Sequence, residues 1–239
     1  MMRTTNARLA GRIVGVLFLV QMAVAPLVNF VLLGPALTAP GGFLANAAAN
    51  SAQVNMAVLL SLVTGALWVG IAITALPVFR QYSHAMALWL LALAVISFSG
   101  VVFEGIAVRS MLSLSQEYAK AGAADVALFQ APGALVRSLR NSTHYTNLLV
   151  SGGSLLVFYS VLFRFALIPR ALSAFGLVTV ALLITGAMIP LLGYRTVMLM
   201  FMPIGLSQLA LVLWLMARGL EERHQSVRAE TLVAELPRA

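Results

Sequence analysis

The sequence predicts an all-α fold, a polytopic transmembrane bundle of six helices. Three observations carry that expectation. The chain is 61% hydrophobic and 9% charged, with a mean hydropathy of +0.97. Soluble domains run at about 45–50% apolar and about 25% charged, so lipid is the solvent that suits this composition. Six apolar runs are each long enough to cross about 30 Å of hydrocarbon at about 1.5 Å per residue. The runs are continuously apolar, whereas the strands of a membrane barrel alternate.

Taken in order, the spans are Gly11 to Leu33, Gln53 to Leu76, Ala85 to Val108, Asn141 to Phe163, Ala171 to Leu192 and Val197 to Ala217. Span 1 is too long for the apolar region of a signal peptide, which runs to about 15 residues, so it reads as retained and not cleaved after Ala39. Gly34, Pro35, Pro40, Gly41 and Gly42 end it, Pro77 ends span 2, and Pro169 precedes span 5. The turn around Gly193 to Thr196 is short, which makes spans 5 and 6 antiparallel neighbours. Pro26, Pro190 and Pro203 fall inside spans and predict kinks. Trp68, Trp89 and Trp214 read as interfacial anchors. Residues 1–217 form the six-span domain, and 218–239 form a charged cytoplasmic tail, a helical extension that frays.

The 15 basic residues set the orientation. Ten lie on one side: Arg3, Arg8, Arg12, Arg80, Arg164, Arg170, Arg218, Arg223, Arg228 and Arg238. Arg109, Lys120, Arg137, Arg140 and Arg195 lie on the other. The positive-inside rule then puts both termini in the cytoplasm. The long outer segment from Arg109 to Arg140 is interrupted by Pro132 and Gly133, and reads as broken helix near the interface, with Asp125 at a helix start. The charges form no basic face with interleaved aromatics, so nucleic acid is not a partner; membrane lipid is. The chain has no Cys, which excludes disulfides and thiol chemistry.

One carboxylate, Glu104, sits inside span 3. Ser97, Gly100 and Glu104 share a helix face. Arg109, five residues on, lies about 140° round the helix and snorkels to headgroups instead of pairing with Glu104. Span 4 offers a partner. Arg140, His144, Asn147, Ser151 and Ser154 form a polar stripe along one face, which avoids lipid and turns to protein or water. Glu104 precedes Arg109 by five residues and His144 follows Arg140 by four, so both lie roughly 6–8 Å below the outer edge. Asn29, Asn55, Tyr194 and Arg195 fall near that level, with Gln21 deeper.

The candidate ligand-binding residues are therefore Glu104, His144, Arg140, Asn147, Asn29 and Asn55, in an outward-facing polar pocket. The alternative is a hydrogen-bonded clamp between spans 3 and 4. No metal and no cofactor is expected. His144 is the one His within the bundle, a zinc site needs about three ligands, and a bis-His haem needs two. No catalytic residue is assigned, since no nucleophile–base set is visible and Ser151-Gly152-Gly153-Ser154 lacks the nucleophile-elbow pattern, reading instead as close helix packing. Gly11 and Gly15 are spaced as a dimerisation motif.

Arg8-Leu9-Ala10-Gly11 before span 1, His144 opening span 4, Gly152, Phe158 and Arg164 along it, Ile168-Pro169-Arg170-Ala171-Leu172, and Gly176 and Gly186 in span 5 form a recognisable pattern. It resembles a bacterial family of six-span membrane proteins known as domain of unknown function 4386. The resemblance covers nearly the whole chain and implies a six-helix bundle in a bacterial inner membrane. It implies no activity, and it adds weight to His144 but none to Glu104. Three functions are open: first, binding or transport of a small or lipid-like molecule at the pocket; second, a structural or accessory subunit with no site of its own; third, an intramembrane enzyme.

Overall fold

The computed structural model describes residues 2–121 and 126–221. Asp125 and residues 222–239 of the expected tail lie outside them. Six long helices carry the apolar runs: α1 (Met2–Pro26), α4 (Ser51–Phe79), α5 (His84–Lys120), α6 (Gln130–Arg164), α7 (Arg170–Leu191) and α8 (Met202–Arg218). Two five-residue helices, α2 (Gly34–Thr38) and α3 (Gly42–Asn46), join α1 to α4. The described residues contain six helical segments long and apolar enough to cross a membrane. Their outward faces stay apolar, with Phe103 and Leu59 among the exposed large side chains. This is a multi-pass membrane protein.

The long helices pack as a ring in chain order: α1 on α4, α4 on α5, α5 on α6, α6 on α7 and α7 on α8, with α8 closing against α1. An even number of crossings returns the chain to its starting side, called here the terminal end; the opposite one is the hairpin end. Close approach is made by small residues. Gly15 lies against Leu215 and Met216, and Gly11 against the backbone of Gly219 and Leu220. The expected dimerisation motif is thus spent inside the ring, on the α1–α8 seam. Gly219 stands at φ 72 with the backbone of Arg8 against it, which only glycine permits. Helix α8 therefore ends at Arg218, and Glu221 N–H donates to Leu167 O at 3.0 Å.

Two apolar cores result. At the terminal end, Phe18, Trp68, Phe79 and Phe158 form an aromatic cluster with centroids 5.4–6.3 Å apart. At the hairpin end, Val28, Leu33, Phe43, Val54, Val108 and Leu112 form a smaller cluster beneath α2 and α3. Ser115, fully buried, fastens this cap. Its hydroxyl donates to Leu44 O and accepts from Ala48 N–H, both at 2.8 Å. Ser115→Ala strands the Ala48 donor in an apolar setting, and is expected to cost about 1–3 kcal/mol in unfolding followed by circular dichroism in detergent.

The expected broken helix is corrected. α5 and α6 run 37 and 35 residues, or about 50 Å and more at helical rise, and project past the bilayer as a hairpin. Pro132 is the third residue of α6, where a missing N–H costs no hydrogen bond, and Gly133 makes room for Leu44 of α3. The proline readings divide. A π-helical turn, Leu27–Leu32, follows Pro26. Pro190 lies in the last turn of α7, and Pro203 starts α8 instead of kinking it. The α7–α8 connection runs from Leu192 to Phe201, longer than the expected turn, and includes a 3-10 turn at Met198–Met200.

Candidate functional site

Three residues converge on one oxygen. His144 Nδ1 lies 2.8 Å from Glu104 Oε1, and Arg140 Nη2 lies 3.4 Å from the same atom. With Glu104 ionised the carboxylate only accepts, which makes Nδ1 the donor of this bond. Glu104 and His144 are 19% and 25% exposed along their side chains, Arg140 15%. The neighbouring Phe103 and Ile106 are 63% and 57% exposed. The carboxylate is turned into the bundle while the residues beside it face lipid. Helix periodicity makes that division possible, because Glu104 shares its inner face with Ser97 and Gly100.

One turn deeper the same seam is polar again. Ser97 Oγ donates to Asn147 Oδ1 at 3.1 Å. A Cβ on Gly100 would stand 2.7 Å from that oxygen, so the glycine is what lets Asn147 approach α5. Lower still, Trp68 Nε1 donates to the fully buried Ser154 Oγ at 3.1 Å. This corrects the reading of Trp68 as an interfacial anchor; it is 5% exposed and belongs to the aromatic cluster. Trp89, at 61% exposed, does face outward.

Between the two apolar cores lies a cavity of about 340 Å³ lined by residues of all six long helices. Asn29, Glu104, His144 and Asn147 stand towards its hairpin side, and Phe18, Trp68 and Leu155 form its apolar floor. Its middle wall carries Gln21, Ser61, Thr64, Ser151 and Gln208. Gln21 Oε1 is buried with no hydrogen-bond partner among the described residues. Sequence reasoning did not count Gln208, Ser61 or Thr64 among the candidates. The available signal was polar side chains within two otherwise largely apolar spans, Ser61 and Thr64 in the second and Gln208 in the sixth.

Of the six candidate residues, four line this cavity: Glu104, His144, Asn147 and Asn29. Asn29 also donates to Ala25 O at 2.9 Å within the widened turn after Pro26. Arg140 stands behind Glu104 as its counter-charge and is not part of the lining; its Nε is buried and unpartnered among the described residues. Asn55 does not reach the cavity. It accepts from Arg109 Nη1 at 2.9 Å, joining α4 to α5, so Arg109 has a protein partner and does not simply snorkel. Tyr194 and Arg195 open instead onto a different cleft. Among the described residues no three of His, Cys, Asp and Glu come together, so Glu104 and His144 form a pair and not a ligand triad. The Gly152 reading holds as packing: a Cβ there would stand 2.7–2.8 Å from Ile184 and Leu183 of α7.

A family profile described as Domain of unknown function (DUF4386) matches residues 13–219. The chain belongs to the DUF4386 family. The match reaches into all six long helices, and includes the paired acid and imidazole and the cavity. Neither a curated protein nor a solved structure matches this DUF4386 chain.

Proposed function

We propose that this DUF4386 protein binds or transports a small or lipid-like molecule in the cavity at the centre of its ring, reached from the outer side of a bacterial inner membrane. The carrying observation is the Glu104–His144 pair, turned into the bundle beside lipid-facing Phe103 and Ile106 and bordering a void with a polar wall. Ionisable groups within spans are costly and concentrate where a ligand or ion passes. A volume of about 340 Å³ lies within the range of small-molecule sites. The lining grades from hydrogen-bonding groups at the hairpin side to aromatic and aliphatic groups at the floor, which favours a ligand with one polar end. The aromatic cluster below closes the terminal end, which the arginine distribution puts in the cytoplasm.

The clamp reading rests on the same hydrogen bond, and differs over the void beside it. An accessory subunit has no use for a polar wall containing a Gln21 oxygen that lacks a partner among the described residues. The test is native mass spectrometry of protein extracted in mild detergent. The wild type is expected to retain a bound species that Glu104→Gln loses, while the two unfold within about 4 °C of each other. Equal retention by the two proteins, or none by either, contradicts the proposal.

A further inference from the structure

α6 carries a second polar stripe, on a different face from the one that meets Glu104. Arg137, Asn141 and Tyr145 follow at i, i+4 and i+8. They line a cleft of about 680 Å³ between α6, α3 and the α7–α8 connection, where Arg195 and Thr196 form the opposite wall. The cleft shares no lining residue with the central cavity. It holds two arginines and no carboxylate.

Both arginines lack an acidic partner among the described residues. Two of the described acids are engaged elsewhere: Glu104 is held by His144 and Arg140, and Glu117 by Lys120 at 2.8 Å. Arg137 is nevertheless positioned. Its guanidinium lies over the Phe43 ring, 5.5 Å from the centroid, and a Cβ on Gly42 would stand 2.6 Å from its Nη2. Glycine at that position leaves the guanidinium its place. The far wall is fixed too, because the Tyr145 and Thr196 hydroxyls bond at 2.7 Å and tie the connection to α6. Leu191 and Leu192, at the edge of this cleft, are exposed apolar residues at the end of α7. The cleft thus spans the step from apolar surface to the projecting hairpin.

We propose that this cleft binds a phosphate-bearing anion, with Arg137 and Arg195 as its cationic contacts and the Ser138, Asn141 and Tyr145 side chains as further hydrogen-bonding groups. Guanidinium forks match phosphate oxygens, and two of them lining one concavity that has no carboxylate give it a positive potential that attracts an anion. The phosphate comes either from an anionic lipid whose chains lie along α7 or from a soluble phosphate compound.

The full-length protein, delipidated in neutral detergent, separates these. Native mass spectrometry counts bound dioleoyl phosphatidylglycerol against dioleoylglycerol, which has the same chains and no phosphate. Thermal unfolding reads protection by inorganic phosphate. The wild type is expected to retain the phospholipid about tenfold more than the diglyceride, and the Arg137→Gln/Arg195→Gln double variant to lose that preference. Protection by inorganic phosphate alone, abolished in the same variant, assigns the site to a soluble anion. Equal retention of the two lipids without phosphate protection overturns the proposal, as does unchanged anion binding in the variants. Arg195→Gln alone, on the exposed connection, decides the matter if the double variant does not fold.

Discussion

Gly176→Ala is expected to be among the most destabilising single-methyl additions in this protein. The added Cβ would fall deep inside van der Waals contact with Tyr159 Cε1 and Cδ1, and 2.6 Å from Cζ. Tyr159 is fully buried in the terminal core, edge-on to Phe158 with ring centroids 6.0 Å apart. It has nowhere to swing without opening that cluster. One turn along α7, Thr179 Oγ1 bonds Gly176 O at 2.9 Å and the Ser207 hydroxyl of α8 at 2.8 Å, so α7 cannot slide away cheaply either. Forced overpacking of this kind costs roughly 3 kcal/mol, at the upper end of its usual range. The control is Gly205→Ala. Nothing lies within 4 Å of that position, and alanine gains up to about 1 kcal/mol of helix propensity. Thermal unfolding in detergent, followed by circular dichroism, is expected to shift down for the first variant and not for the second. Equal shifts would contradict the α6–α7 seam described here.

The second large effect comes from Glu104→Leu. It removes the acceptor that both His144 and Arg140 share, and leaves a guanidinium 15% exposed with no counter-charge. Orphaning one member of a buried pair costs about 3 kcal/mol. Glu104→Gln keeps an acceptor for His144 and loses only the charge, so its cost is expected near 1 kcal/mol. If Arg140 is what makes the leucine variant unstable, Arg140→Met on the same chain recovers most of the loss, because an apolar pair needs no desolvation. A double-mutant cycle by thermal unfolding measures this, with coupling of more than 1 kcal/mol expected. Additive losses would show that the pair does no joint work.

The spans were legible because lipid leaves them as contiguous apolar runs. The meeting of Glu104 with His144 was legible because helix rise fixes depth and the i, i+4 rule fixes the face, and the two numbers agreed. What the sequence hid depends on which faces meet. Trp68 looks the same in a string whether it sits at a headgroup or in a core; its burial follows from α1 and α6 closing over it with Phe18 and Phe158. Pro132 and Gly133 looked like breakers because their place in the first turn of α6 could not be counted without knowing where the helix began. Gly11 and Gly15 looked like a dimer seam because α8 is distant in sequence. Asn55 fell at the right height but on the wrong face, and met Arg109 instead.

The proposed function requires that Ser61 and Thr64 of α4 and the polar stripe of α6 face an aqueous space inside the ring. The chain contains no cysteine, so a single substitution introduces the sole thiol. Ser151→Cys and Thr64→Cys place it on the cavity wall, while Phe103→Cys and Leu59→Cys place it among outward residues 63% and 59% exposed. A charged, membrane-impermeant maleimide reacts with a thiolate, which forms in water and not in acyl chains. Applied to intact spheroplasts, it is expected to label the first two and spare the others. Labelling of Phe103→Cys and Leu59→Cys, with Ser151→Cys and Thr64→Cys silent until detergent is added, would contradict the cavity and the function drawn from it.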